Sequence, residues 1–172
     1  MNAPSESTLA SSKATWEQWI EKLDLQEHPE GGFFAETYRS SVQVATPRGE
    51  RSASTAIYYL LTPDSVSRLH RIQSDECWHF YAGGPLTVVE LVATKEPARI
   101  TRIGIEPGCV PQHIVSAGTW FGSFTDSDYS LVGCTVAPGF DFNDFEFASQ
   151  AKLLQEFPLA KDFILKLTQG LP

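Results

Sequence analysis

LHRIQSDECWHFYAGG, residues 69–84, sets two β-rich runs on either side of the polar step QSD and places His70, Asp75, Glu76 and His79 within ten positions. In the second run strand alternation puts Glu76, Trp78 and Phe80 on one face and Cys77, His79 and Tyr81 on the other. Glu76 and His79 therefore cannot both point inward, and His79 is read as the bystander. A hairpin through QSD would bring His70 beside Glu76. An imidazole held by a carboxylate is the side-chain pair best suited to moving protons near neutral pH.

Further runs of the same texture surround this stretch: FFAETYRS, ASTAIYYLLT, VSRLHRI, LTVVELVA, RITRIGI, TWFGSFT and YSLVGCTVA. Eight short runs bounded by TPD, AGGP, EPG and TDSD predict an all-β sandwich or barrel. TWEQWIEKLDL puts Trp16, Trp19, Ile20 and Leu23 on one helical face, with Thr15 and Gln18 at capping-box spacing. Helical spacing returns in QAKLLQEFPLAKDFILKLT, where Pro158 should divide two short helices. Residues 1–14 are small, polar and aperiodic, and read as a flexible tail. Residues 15–172 read as a single domain with a β core over about 28–148.

Upstream, HPEGGFFAETYRS (28–40) mixes glycines, aromatics and charges. From Phe34 onward, alternation predicts Phe34, Glu36 and Tyr38 on one face, opposite Ala35, Thr37 and Arg39. If that face lines a pocket, Glu36 and Tyr38 join His70 and Glu76; the structural alternative ties Glu36 to Arg39, Arg51 or Arg68 in an ion pair. In TVAPGFDFNDFEF the phenylalanines are read as closing one end of the core while the acids face water, with a lid over the pocket as the alternative. Trp120 is read as pocket wall, its indole N–H able to orient a ligand. His113 has no evident partner and is read as structural.

The 13 Lys and Arg against 21 Asp and Glu, net −8, disfavour nucleic acid and anionic membrane as partners. The three cysteines, Cys77, Cys109 and Cys134, are odd in number and lack a CxxC pair. They suggest neither a disulfide framework nor a thiolate zinc site, and fit a cytoplasmic protein. No apolar run reaches membrane-spanning length.

The 69–84 stretch resembles the first motif of the cupin superfamily, G-x5-H-x-H-x(3,4)-E-x6-G, with His70, Glu76 and Gly83 in place. Ile72 stands where the second histidine would be and Asp64 where the opening glycine would be. In the second motif, P-x-G-x2-H, SAGTWF keeps Gly118 but has Ser116 for the proline and Phe121 for the histidine. From HPEGGFFAETYRS to LVGCTVAPGFDFNDFEF the chain is similar to the Cupin_5 branch, domain of unknown function 985. The resemblance implies a double-stranded β-helix, or jelly roll, with a small-molecule pocket and frequent homodimerisation.

Three functions compete. The first is a metal-independent acid–base isomerase or epimerase on a polar carbohydrate-like or carbonyl compound, akin to metal-free sugar-nucleotide epimerases among the cupins. There His70 is the base, Glu36 or Glu76 its partner, Tyr38 the acid, and Phe34, Trp78, Trp120 and Arg68 contact the ligand, with no cofactor. The second is a non-catalytic binding protein for a small ligand. The third is a metal-dependent oxygenase or isomerase, in which His70 and Glu76 hold iron, manganese, nickel or zinc with a third ligand from Glu36, His79 or water.

Overall fold

The run TAIYYLL is apolar on both faces because both faces are covered: Ile57, Tyr59 and Leu61 enter a central core, while Tyr58 and Leu60 point outward to a helix. LTVVEL behaves likewise, with Leu86 and Val88 inside and Val89 and Leu91 packed against the C-terminal helices. The computed structural model describes residues 14–93 and 96–169, so the tail expected over 1–14 lies, save for Ala14, outside the described residues. The strands are β1 (Gln26–Glu27), β2 (Phe33–Arg39), β3 (Gln43–Thr46), β4 (Gly49–Ser52), β5 (Thr55–Leu61), β6 (Val66–Ile72) and β7 (Asp75–Gly83). They continue as β8 (Leu86–Leu91), β9 (Arg99–Ile103), β10 (Gln112–Val115), β11 (Trp120–Thr125), β12 (Ser130–Ala137) and β13 (Phe145–Phe147).

Six strands form one antiparallel sheet in the order β1-β2-β5-β12-β7-β10, and five form the facing sheet in the order β13-β6-β11-β8-β9. β3 and β4 make a separate hairpin. Between the sheets Tyr59, Leu61, Trp78, Leu86, Phe121 and Val132 are buried; each such side chain contributes about 1.5–3 kcal/mol. Helix α1 (Trp16–Leu23) lays its predicted face on Leu25, Leu60 and Leu131, and Gln18 Oε1 accepts the Thr15 N–H at 3.0 Å. Helices α2 (Gln150–Glu156) and α3 (Lys161–Leu167) flank Pro158 as expected and cover the outer face of the five-stranded sheet. The predicted all-β jelly roll is therefore the fold.

Two local expectations fail. LHRI and ECWHFYAG do not form a hairpin: β6 pairs with β11 and β13, whereas β7 pairs with β12 and β10. Gln73 and Ser74 instead carry the chain from one sheet to the other, held where Asp75 Oδ1 accepts the Ala117 N–H at 2.8 Å. In β2 the alternation slips at a bulge. Glu36 pairs with Ile57 and Tyr38 with the adjacent Ala56, leaving Thr37 as the extra residue. Arg39 then shares the inner face with Phe34 and Glu36, and Tyr38 turns outward.

Candidate functional site

The sheets part at one end around a cavity of about 360 Å³. Its deep end begins in HPEGG. Gly31 and Gly32 have φ of +107° and +71°, and a Cβ on either would lie 2.2 Å from the Val66 carbonyl oxygen or 2.5 Å from Leu61 Cδ2. Only glycines let this loop lie so close to β5 and β6. The loop delivers Glu30, whose Oε2 accepts from Ser67 Oγ at 2.9 Å and whose Oε1 is 3.4 Å from His70 Nε2. His28 arrives with it, edge-on to Phe34 and Tyr59.

His70 is 2 % exposed and lies between the rings of Phe121 and Phe145, at centroid distances of 4.2 and 5.2 Å. Its Nδ1 is 2.6 Å from the Arg68 carbonyl oxygen, which can only accept, so Nδ1 carries the proton and neutral His70 keeps its lone pair on Nε2. Burial pushes the imidazole below its ordinary pKa, against the pull of Glu76 and of that carbonyl. Glu76 faces His70 from the opposite sheet. Burial raises its pKa to about 7; His70 opposes the shift, Glu30 adds to it, and a hydrogen bond with the Cys134 thiol opposes it. Glu30 is also pushed up by burial, against His28, Ser67 and Arg68. Burial lowers His28, opposed by Glu30. Burial thus shifts both carboxyls of the deep end upward and both imidazoles downward from their ordinary pKa values.

Of the residues expected here from sequence, His70, Glu76, Phe34 and Trp78 line the cavity. Trp78 is 1 % exposed, and its indole N–H finds no acceptor among the described residues. Glu36 reaches the mouth, but Arg39 grips it through Nε at 2.9 Å and Nη2 at 2.6 Å, the structural alternative foreseen for it. Tyr38 is 54 % exposed on the outer face, turned there by the bulge, and cannot serve as the acid. Trp120 packs in the α2–α3 cluster beneath Arg71, away from the cavity. Arg68 lies behind the loop, donating to the Pro29 and Glu30 carbonyls. His79 faces out, contacting Thr135 and Gln112. His113 does have a partner: its Nε2 is 2.7 Å from Oε2 of buried Glu90.

Phe140 and Phe142 line the mouth, and Phe145 continues the aromatic cluster onto His70. The acids between them do not all face water. Asp144 is buried and takes a bidentate grip from Arg51 at 2.9 Å and a further bond from Arg48 at 3.0 Å. The sequence reading missed Glu30, His28 and this clamp. The paired glycines of HPEGG were the available signal for the first two, since they marked a tight backbone approach rather than a strand.

A cupin metal centre needs several convergent donors. Here two motif positions are carbon: Ile72 and Phe121 are buried in the core cluster. Glu36 is held by Arg39 and His79 faces away, so neither supplies a third donor beside His70 and Glu76. Among the described residues no group of three or more His, Cys, Asp or Glu converges on a point suited to a metal ion. The donor set does not fit.

Two facing antiparallel sheets around an inner, largely apolar cavity with a few ionisable side chains define a jelly-roll protein of the cupin kind. The chain belongs to the Cupin_5 family, Cupin superfamily (DUF985), which it matches over residues 17–148. It is 33% identical over 151 residues to the uncharacterized protein YML079W of Saccharomyces cerevisiae, covering 76% of this chain and 74% of that one. A hypothetical protein from Leishmania major superposes with a TM-score of 0.84 at 37% identity, covering 90% of this chain and 98% of that chain. Protein SO0799 from Shewanella oneidensis superposes with a TM-score of 0.81 at 38% identity, covering 90% and 97%. Among the described residues no helix is long and apolar enough to cross a membrane.

Proposed function

We propose that the cavity is the site of a metal-independent acid–base enzyme, of isomerase or epimerase type, acting on a small polar carbohydrate-like or carbonyl compound. The observation that carries this reading is the orientation of His70: with Nδ1–H spent on the Arg68 carbonyl, the basic Nε2 is left beside Glu30 on the cavity wall. Nε2 takes a proton from the carbon next to the substrate carbonyl. The electron pair moves toward the carbonyl oxygen, which receives the carboxyl proton of Glu76. Return of the proton from Nε2 to the neighbouring carbon, with the Glu76 carboxylate taking a proton back from the enediol hydroxyl, completes an isomerisation; its return to the original carbon on the other face, with the same recovery at Glu76, completes an epimerisation. A carboxyl with a pKa of about 7 suits that acid role. The unpaired indole N–H of Trp78 offers a donor for a ligand oxygen.

In the same reading the protein works in the cytoplasm as a homodimer, joined through the outer face of the six-stranded sheet where Tyr38, Tyr81 and Ile114 are exposed. The aromatic cavity with its spare donor also favours a second reading, a binding protein without turnover. Small aldoses, ketoses and keto acids incubated with the protein in D2O separate the two. Deuterium entering the carbon beside the carbonyl, and not entering with His70→Asn, is the expected result. A compound that raises thermal stability but is recovered without deuterium favours the binding protein.

A further inference from the structure

The loop HPEGG separates two spaces. On its inner side lies the cavity; on its outer side lies an open cleft of about 610 Å³ bordered by Pro63, Asp64, Arg68 and Lys166. Among the described residues the two share only His28 and Glu30 in their lining. Glu30 is anchored at Oε2 by Ser67, which leaves Oε1 as the atom toward His70 Nε2. His28 Nδ1 accepts the Glu30 backbone N–H at 3.2 Å, so neutral His28 carries its proton on Nε2. Both side chains are 9 % exposed. At the other end of the cavity Phe142 and Phe140 line the mouth, and Phe145 stacks on His70.

We infer that Glu30, with His28 beside it, is a proton port: His70 exchanges protons with solvent through this wall into the outer cleft, and not through the mouth by which a ligand enters. The inference rests on the proposed acid–base role of His70. When His70 holds a proton on Nε2, that N–H bond breaks as an O–H bond forms at Glu30 Oε1. Neutral imidazole and neutral carboxyl result. The carboxyl then loses its proton to water in the cleft and returns to carboxylate, with no other reactant needed. Such a port lets the base reset while a bound compound occupies the mouth.

The test uses the full chain labelled with 15N-histidine, without ligand, at a pH low enough to populate the His70 imidazolium, and reads by NMR the exchange of its Nε2 proton with water. Glu30→Gln keeps an acceptor for Ser67 but cannot carry a proton, and slows the exchange by about tenfold or more, the scale expected when a proton-transferring group is lost. His28→Phe keeps the ring edges against Phe34 and Tyr59, and is the second variant should Glu30→Gln fail to fold; it slows exchange by a smaller factor. Unchanged exchange in both variants overturns the port, as does equal slowing by Phe142→Trp at the mouth. The readout needs no substrate. Failure to find turnover would undo the proposed reaction without moving this result, and unchanged exchange would undo the port while leaving turnover intact.

Discussion

Two carboxyl–imidazole pairs lie on either side of Phe121, whose cross-strand neighbours are His70 on β6 and Glu90 on β8. Glu90 is 2 % exposed, bonded to His113 at 2.7 Å and accompanied by Arg99 at 3.7 Å. It is paired and given a counter-charge, and neither it nor His113 borders the cavity. Glu30 and His70 stand further apart, at 3.4 Å, on a cavity wall, with a second carboxyl facing them. Residue type is the same in both places and both carboxyl side chains are at most 9 % exposed, while His113 is 18 % exposed against 2 % for His70. What differs is whether the polar atoms are used up, and a histidine whose Nε2 borders an open space is available for chemistry in a way His113 is not.

The strongest way to break this comparison is to change each histidine in turn. His70→Asn should lower deuterium incorporation by about a hundredfold or more, the usual scale for losing a general base, while His113→Asn leaves it unchanged. Equal loss in the two variants would erase the distinction.

The next largest effect concerns Glu76. Its pKa in the folded chain is about 7 against an ordinary 4.5, so folding favours the protonated carboxyl. That contribution is fully present below about pH 4.5 and is lost as pH rises to about 7, a cost of about 3 kcal/mol. Glu30, also raised, acts in the same direction; His28 and His70, both lowered, act oppositely, losing stability as pH falls through their ordinary values. Comparing Glu76→Gln with the parent cancels what Glu30, His28 and His70 contribute independently of Glu76 and isolates Glu76 together with its coupling to His70 and Glu30. Chemical denaturation should find the variant more stable by about 3 kcal/mol at pH 8 and within about 1 kcal/mol at pH 5. Equal stabilities at pH 8 would mean that Glu76 is solvated.

Stability then sharpens the other half of the comparison. His113→Ala leaves Glu90 buried with only the more distant Arg99, and should cost about 2 kcal/mol by denaturant midpoint. The smallest effect belongs to Glu36, whose bond to Arg39 is 40–44 % exposed. Glu36→Gln should change stability by less than about 1 kcal/mol. A loss of turnover approaching that of His70→Asn would return Glu36 to the chemistry.

What could be read from the sequence was what strict alternation controls. The faces of β7, the helix face of Trp16, Trp19, Ile20 and Leu23, and the break at Pro158 follow from local periodicity, and the structure keeps them. His70 and Glu76 were found by residue type and by their resemblance to a motif, although they meet across two sheets rather than in a hairpin. The bulge at Thr37 was invisible because nothing in ETYR marks an extra residue; only pairing with β5 reveals it, and one slipped position exchanged Tyr38 for Arg39. Glu30 was hidden for a related reason. Its neighbours Ser67 and His70 are some forty residues away in sequence, and only the folded loop brings them together.

The central claim is that this cavity moves protons with its own side chains rather than through a metal. The most direct test is deuterium incorporation by protein dialysed against chelator, in parallel with elemental analysis of the same sample. The account predicts full activity with well under one equivalent of iron, manganese, nickel or zinc. Activity lost on chelation and restored by one divalent ion, and abolished together with metal binding in Glu76→Gln, would contradict it.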